Sequence, residues 1–293
     1  MRKNSFRMYL FCLVACSKIF NPSFSQNYKI QQNQVLVYNI ILNGAIGGIG
    51  GTINKQKCEK YYTAFARNFL KGCAGGGIKY IAKHDVYSLT YSNRTYIAKG
   101  NRLLYYIGYS IVQNASLNRE IWHSFYCQFY GANMEFTLKN KFHFKSRISV
   151  STLFSLSYFW LTDNSLNIQK SLEYGLFFFN QNPKYNLIRA GSANPNAMAI
   201  RMDHINPDFR QSVIAHEFIH TYQFPDYYPI TNFFRPLLKN AGSNKLYKNL
   251  SRFFFLEIEY QSLIYAVQPK PVHFGNFFEF EAQHFATRQY IPR

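Results

Sequence analysis

The chain has 293 residues, enough for one large domain or two small ones, and 47% of them are hydrophobic, so a sizeable core can form. Its formal net charge is +19, with 33 Lys and Arg against 14 Asp and Glu, which excludes an acidic solvating chain and calls for an anionic partner or a heavily solvated surface. Five cysteines without Cys-x-x-Cys spacing exclude a disulfide framework and a thiolate zinc site; Cys58 and Cys73 are near enough in sequence to bridge, but free thiols at Cys58, Cys73 and Cys127 are the simpler expectation.

Residues 1–25 read as an export signal. Arg2, Lys3 and Arg7 form a basic start, and Met8 to Ala15 form a short apolar core. Two cleavage readings stand. Leu13-Val14-Ala15-Cys16 has the form of a lipoprotein signal, in which Cys16 becomes the lipidated first residue. Ser23-Phe24-Ser25 has the small residues of an ordinary signal-peptidase site. Either exports the protein, to a periplasmic or envelope-anchored location. Exported basic proteins meet acidic lipids rather than genomes, so an anionic membrane surface is a candidate partner and nucleic acid is not.

Residues 26–121 form a glycine-rich region that predicts a helical hairpin. Val35 to Ile53 is uncharged and close to the length of a membrane span. Gly44/Gly48, Gly47/Gly51 and Gly72/Gly76 are each four apart, the spacing that lets helix backbones approach closely. The hairpin either touches a membrane or packs tightly in water, and Asn39, Asn43, Lys71 and Lys79 are polar interruptions that favour the second. No Gly-Lys-Ser/Thr follows the glycines, which excludes a phosphate loop.

Residues 122–293 predict an α+β region with a central antiparallel sheet and a C-terminal helical, zincin-like metal site. Phe136, Leu138, Phe142 and Phe144 alternate with polar residues, and the alternation resumes at Ile148, Val150, Thr152, Phe154, Leu156 and Tyr158. Asp163 to Ser165 is a turn, and Leu172 to Phe179, Tyr185 to Arg189 and Ala197 to Asp203 read as further strands. These are too few for a membrane barrel.

The most informative residues are His216-Glu217-Phe218-Ile219-His220. On a helix, positions four apart share a face, so His216 and His220 can hold one Zn²⁺ while Glu217 serves as general base. The context is helical: Asn206 is a cap, Pro207 a first helical residue, Asp208 an acid in the first turn, and Phe209, Val213, Ile214 and Phe218 form an apolar side. Pro225 is expected to end the helix. A hydrolytic zinc needs a third protein ligand. Four glutamates follow: Glu257 and Glu259, expected to solvate a helix near Tyr247 to Val267, and Glu279 and Glu281, on a final helix from Phe277 after a turn at Pro269 to Pro271.

The segment Glu279-Phe280-Glu281-Ala282-Gln283-His284-Phe285-Ala286 resembles the E-F-x-A-D-x-F-A segment of membrane-associated gluzincins, the CAAX prenyl endopeptidases and heat-shock membrane metallopeptidases. That resemblance makes Glu279 the third zinc ligand, with Glu281 the alternative, since residues two apart point in different directions. Asn276 and Glu279 also match a capping box, the plainer role for that carboxylate. The family's aspartate that supports a ligating histidine is Gln283 here. Gln223 shares the face of His216 and could orient a ligand. His273, His284, Tyr222 and Tyr265 are unranked candidates to stabilise an oxyanion, and Asp203 and His204 are weaker supporting candidates.

The expected function is hydrolysis of peptide bonds in a peptide or protein substrate, with the strand near Ala197 to Met202 available to pair with an extended chain. Two rivals remain: a non-enzymatic envelope or membrane-surface binding module with structural or absent zinc, and a zinc amide hydrolase acting on cell-wall linkages.

Overall fold

A computed structural model describes residues 28–91, 95–139, 142–184, 190–202, 206–236, 245–255, 260–261 and 277–287. The fold is mixed α/β, with long helices and two small sheets. Helix α1 (Tyr28–Ile53) and helix α2 (Tyr61–Asp85) form the expected hairpin, and α3 (Thr95–Ser116) packs across both. The glycines set the crossing. A Cβ on Gly47 would lie 2.5 Å from the Asn68 carbonyl oxygen, and one on Gly76 would lie 2.5 Å from that of Asn39, so only glycine permits this backbone approach.

By length and composition α1 could cross a membrane over Gln32–Ile53, yet 61% of its most apolar window is buried inside the protein. Its polar residues are the reason. Asn39 and Asn43 face inward and hydrogen-bond to other helices, an arrangement that contact with lipid would not provide.

Strands β1 (Ser124–Phe129), β2 (Ala132–Thr137) and β3 (His143–Ser149) form an antiparallel meander, with Phe136 opposite Phe144. The sequence pattern continues β3 through Tyr158, but the chain turns instead into α4 (Val150–Leu161). Ser149 caps it, its hydroxyl accepting from the Thr152 amide at 3.2 Å. Leu153, Phe159 and Leu161 fall on the polar phase of the alternation, and that is what the strand reading overlooked. Likewise residues 172–174 belong to α5 (Ile168–Tyr174), which ends at Gly175 with φ of 71°, the left-handed position that terminates helices.

The second sheet has the order β4 (Ser165–Leu166), β5 (Phe177–Asn180), β7 (Ala197–Ile200), β6 (Gly191–Asn194). Its β5 and β7 are parallel and its other pairs antiparallel, so the single antiparallel sheet expected from the sequence is replaced by two small mixed sheets. Strand β7 is interior, flanked by β5 and β6. Among the described residues the edge strands are β4 and β6, and the Ala197 run is not an edge. The expected strand at Tyr185 to Arg189 lies outside the described residues.

Helix α6 (Pro207–Tyr227) follows β7. The Asn206 side chain accepts from the Asp208 amide at 2.9 Å, as the cap predicts. Pro225 does not end the helix. Its backbone continues to Tyr227 and then into a 3₁₀ segment, Tyr228–Phe234. Phe209 is exposed, while Ile214 and Phe218 are fully buried. Helix α7 (Lys245–Phe253) leads to β8 (Phe254–Phe255), which adds a short parallel pairing to β3, and α8 (Phe277–Thr287) packs on α6. The Pro269 to Pro271 turn, Asn276, Glu257 and Glu259 lie outside the described residues. One apolar cluster joins Val35 and Tyr80 of the hairpin to Ile214, Phe218 and Phe285 of the C-terminal helices. Cys58, Cys73 and Cys127 are free thiols.

Candidate metal centre

Helices α6 and α8 bring His216, His220 and Glu279 together. The two Nε2 atoms are 3.0 Å apart, and Glu279 Oε2 lies 3.2 Å from that of His216 and 3.5 Å from that of His220. In a tetrahedral zinc site with bonds of about 2.0–2.1 Å, neighbouring ligand atoms are separated by about 3.3 Å. The three donors thus have the spacing of one face of such a tetrahedron. The side chains are 12–19% exposed, so the cluster sits at the bottom of a surface rather than sealed in the core.

The electrostatics carry the same message. Burial alone would raise the Glu279 pKa, but hydrogen bonds from His216 and His220 hold it well below the usual carboxylate range. Burial alone would depress His220, yet Glu279, and then Glu217, push it up to about 9. The cluster favours a proton at its centre, and the same three donor atoms could hold a metal ion.

Gln223 fixes the chemistry of His220. Its amide nitrogen lies 2.9 Å from the Phe278 carbonyl oxygen and 2.9 Å from Glu281 Oε2, both of which only accept. Its Oε1 therefore faces His220 Nδ1, at 2.8 Å. Nδ1 must carry a proton to donate there, which in the neutral ring leaves Nε2 with a lone pair facing His216 and Glu279. The supporting role expected of Gln283 thus falls to Gln223, and Gln283 donates to Thr287 instead.

Glu281 is not at the cluster. It is buried, accepting from Asn39 Nδ2 at 2.8 Å, Lys83 Nζ at 2.9 Å and Gln223. Two residues of separation on α8 send Glu279 and Glu281 to different neighbourhoods. Behind Glu281 lies a network that the sequence reading missed. Asp226 pairs with Lys79 at 2.5 Å and Lys83 at 2.6 Å, accepts from the Tyr105 hydroxyl, and is joined through Lys79 to Asn43. Burial would raise Asp226, but Lys79 and Lys83 outweigh it and hold the carboxyl below its ordinary value. Its signal was present in the sequence: Asn39/Asn43 and Lys79/Lys83 repeat the spacing of four used by the glycines.

Glu217 is buried beside β6, so close that a Cβ on Gly191 would lie 2.7 Å from its Cγ. Glycine at the start of this edge strand is what lets the carboxylate side chain lie against the strand. Tyr222 is in the core, stacked on Tyr105 with centroids 4.4 Å apart, and His284 is packed between Phe280 and Phe285; neither belongs to the metal cluster. Asp203, His204, Tyr265 and His273 lie outside the described residues. Comparison with protein-family models, with curated proteins and with solved structures found no match.

Proposed function

We propose that the chain is an exported, zinc-dependent metallopeptidase of gluzincin type, acting on extended peptide segments. The observation that carries this reading is the convergence of His216 Nε2, His220 Nε2 and Glu279 Oε2 at separations of 3.0, 3.2 and 3.5 Å, with Glu217 on the same helix. Zinc held there would activate a water for attack and polarise a carbonyl. Glu217 takes the proton as the water oxygen joins the carbonyl carbon, and returns it to the amine nitrogen as the C–N bond breaks. Gln223 keeps the His220 ring in register through both steps. The edge position of β6 among the described residues supports the choice of substrate, because a peptide paired along Gly191–Asn194 would run beside Glu217.

The test is Glu217→Gln, assayed on a mixture of denatured proteins by the appearance of new amino termini. The parent cleaves, and the variant retains zinc but loses at least about 100-fold in rate, the usual worth of a general base. Full activity in the variant contradicts the mechanism. A zinc-loaded parent that cleaves nothing contradicts the peptidase reading.

A further inference from the structure

Helix α4 is turned inside out. Three of its four Ser and Thr side chains are buried and bonded: Ser151 to the Ser149 hydroxyl at 2.9 Å, Thr152 to Asn196 at 2.9 Å, and Ser155 to the Ser151 carbonyl at 2.9 Å, while Ser157 is exposed on the outward face. Its apolar residues face out, with Phe154 72%, Trp160 81% and Leu161 84% exposed, and Leu153 and Tyr158 beside them. At 100° per residue all five fall within one half of the helix surface. Phe159 points inward and is fully buried, with Leu156 packed partly buried against the same apolar cluster. The exposed apolar side chains continue along the chain on both sides, at Ile148 before the helix and at Ile168 and Leu172 after it. A polar medium does not favour this orientation. It leaves a large aromatic and apolar surface in contact with water.

The surroundings say what medium does. Residues 139–170 carry Lys139, Lys141, Lys145, Arg147 and Lys170 against the single acid Asp163. A second copy of the chain is disfavoured as the occupant, because two molecules of net charge +19 repel. Trp, Tyr and Phe with flanking lysine are the side chains that settle at the boundary between headgroups and acyl chains. Twelve residues of helix reach about 18 Å, short of the roughly 30 Å of a bilayer core, so α4 can lie in a membrane surface but not cross it.

We propose that α4 is a membrane-docking helix that seats Phe154, Tyr158, Trp160 and Leu161 in the surface of an anionic bilayer. Membrane contact is thereby assigned to α4. The inference does not depend on the peptidase reading, and its test needs no enzymatic activity.

The test is co-sedimentation of the full chain, and of Phe154→Ser/Trp160→Ser, with vesicles of phosphatidylcholine alone or mixed with phosphatidylglycerol. The parent binds the anionic vesicles more tightly than the neutral ones, and the double substitution weakens that binding at least about tenfold, as loss of two buried aromatic groups requires. Because both chains carry the same N-terminal segment, binding through that segment would leave the two equal and overturn the proposal. A concentration-dependent dimer abolished by the double substitution, without vesicle binding, would also overturn it and assign the face to a second copy. In a Trp122→Phe chain Trp160 is the sole indole: its emission shifts to shorter wavelength on anionic vesicles, and an unchanged spectrum contradicts the proposal even if the double variant does not fold.

Discussion

Two clusters of ionisable groups lie one behind the other, and they differ in where their positive charge comes from. The rear cluster is balanced within the chain: Lys79 and Lys83 answer Asp226 and Glu281, all four buried. The front cluster gathers Glu279 against two imidazoles, with the buried Glu217 near His220; it holds a proton more tightly than a free imidazole does and could hold a metal ion. Glu279 and Glu281 are chemically alike and two residues apart, yet one has a lysine and the other does not. A carboxylate's role is set by the cation that its neighbours provide or omit.

That contrast is broken most severely at the rear. Lys83→Met leaves Asp226 and Glu281 with one buried lysine between them, and is expected to cost about 3–5 kcal/mol of stability, as loss of one partner from a buried pair does. Urea unfolding with and without zinc checks this. A loss below about 1 kcal/mol would mean that the network is solvated in solution.

Gln223 joins the two clusters, so Gln223→Leu separates them. It removes the hydrogen bond to His220 Nδ1 and is expected to weaken zinc binding about 10–100-fold. Competition with a chelator measures this. Unchanged affinity would show that the His220 ring is held by other contacts.

A further contrast lies in the sign of the pH dependence. In the metal-free chain the raised pKa of His220, about 9 against an ordinary 6.5, contributes stability that is complete below pH 6.5 and lost as pH rises through 9. With zinc present the proton is a competitor, so stability rises over the same interval. Thermal melts from pH 6.5 to 9 should slope in opposite directions with and without metal. Parallel slopes would mean that the proton and zinc do not share a site.

How much of this was legible in the sequence depended on whether the signal was local. The cap at Asn206, the histidine spacing and the glycine spacing each act within a few residues or on one helix face, and each appears as expected. The helix at Val150 was misread because apolar residues on both phases, Leu153, Phe159 and Leu161 beside Phe154, Leu156 and Tyr158, make a run that satisfies a strand and a helix alike, and Ser149 decides between them only through its cap. Pro225 was misread as a stop because the missing amide was weighed without the burial of the turn around it. That β7 is interior and β6 an edge strand is a matter of sheet order, which no local pattern records. The rear cluster joins residues as far apart as Asn39 and Glu281, so its repeat of four was visible while its partners were not.

The central claim is that Glu279, and not Glu281, completes a zinc site with His216 and His220. The most direct test is zinc content of the purified chain beside His216→Ala, Glu279→Ala and Glu281→Gln, after metal-replete preparation. The account predicts a single equivalent of zinc in the parent, none in the first two variants, and zinc retained in Glu281→Gln. Zinc kept by Glu279→Ala and lost from Glu281→Gln, or absent from the parent, would contradict it.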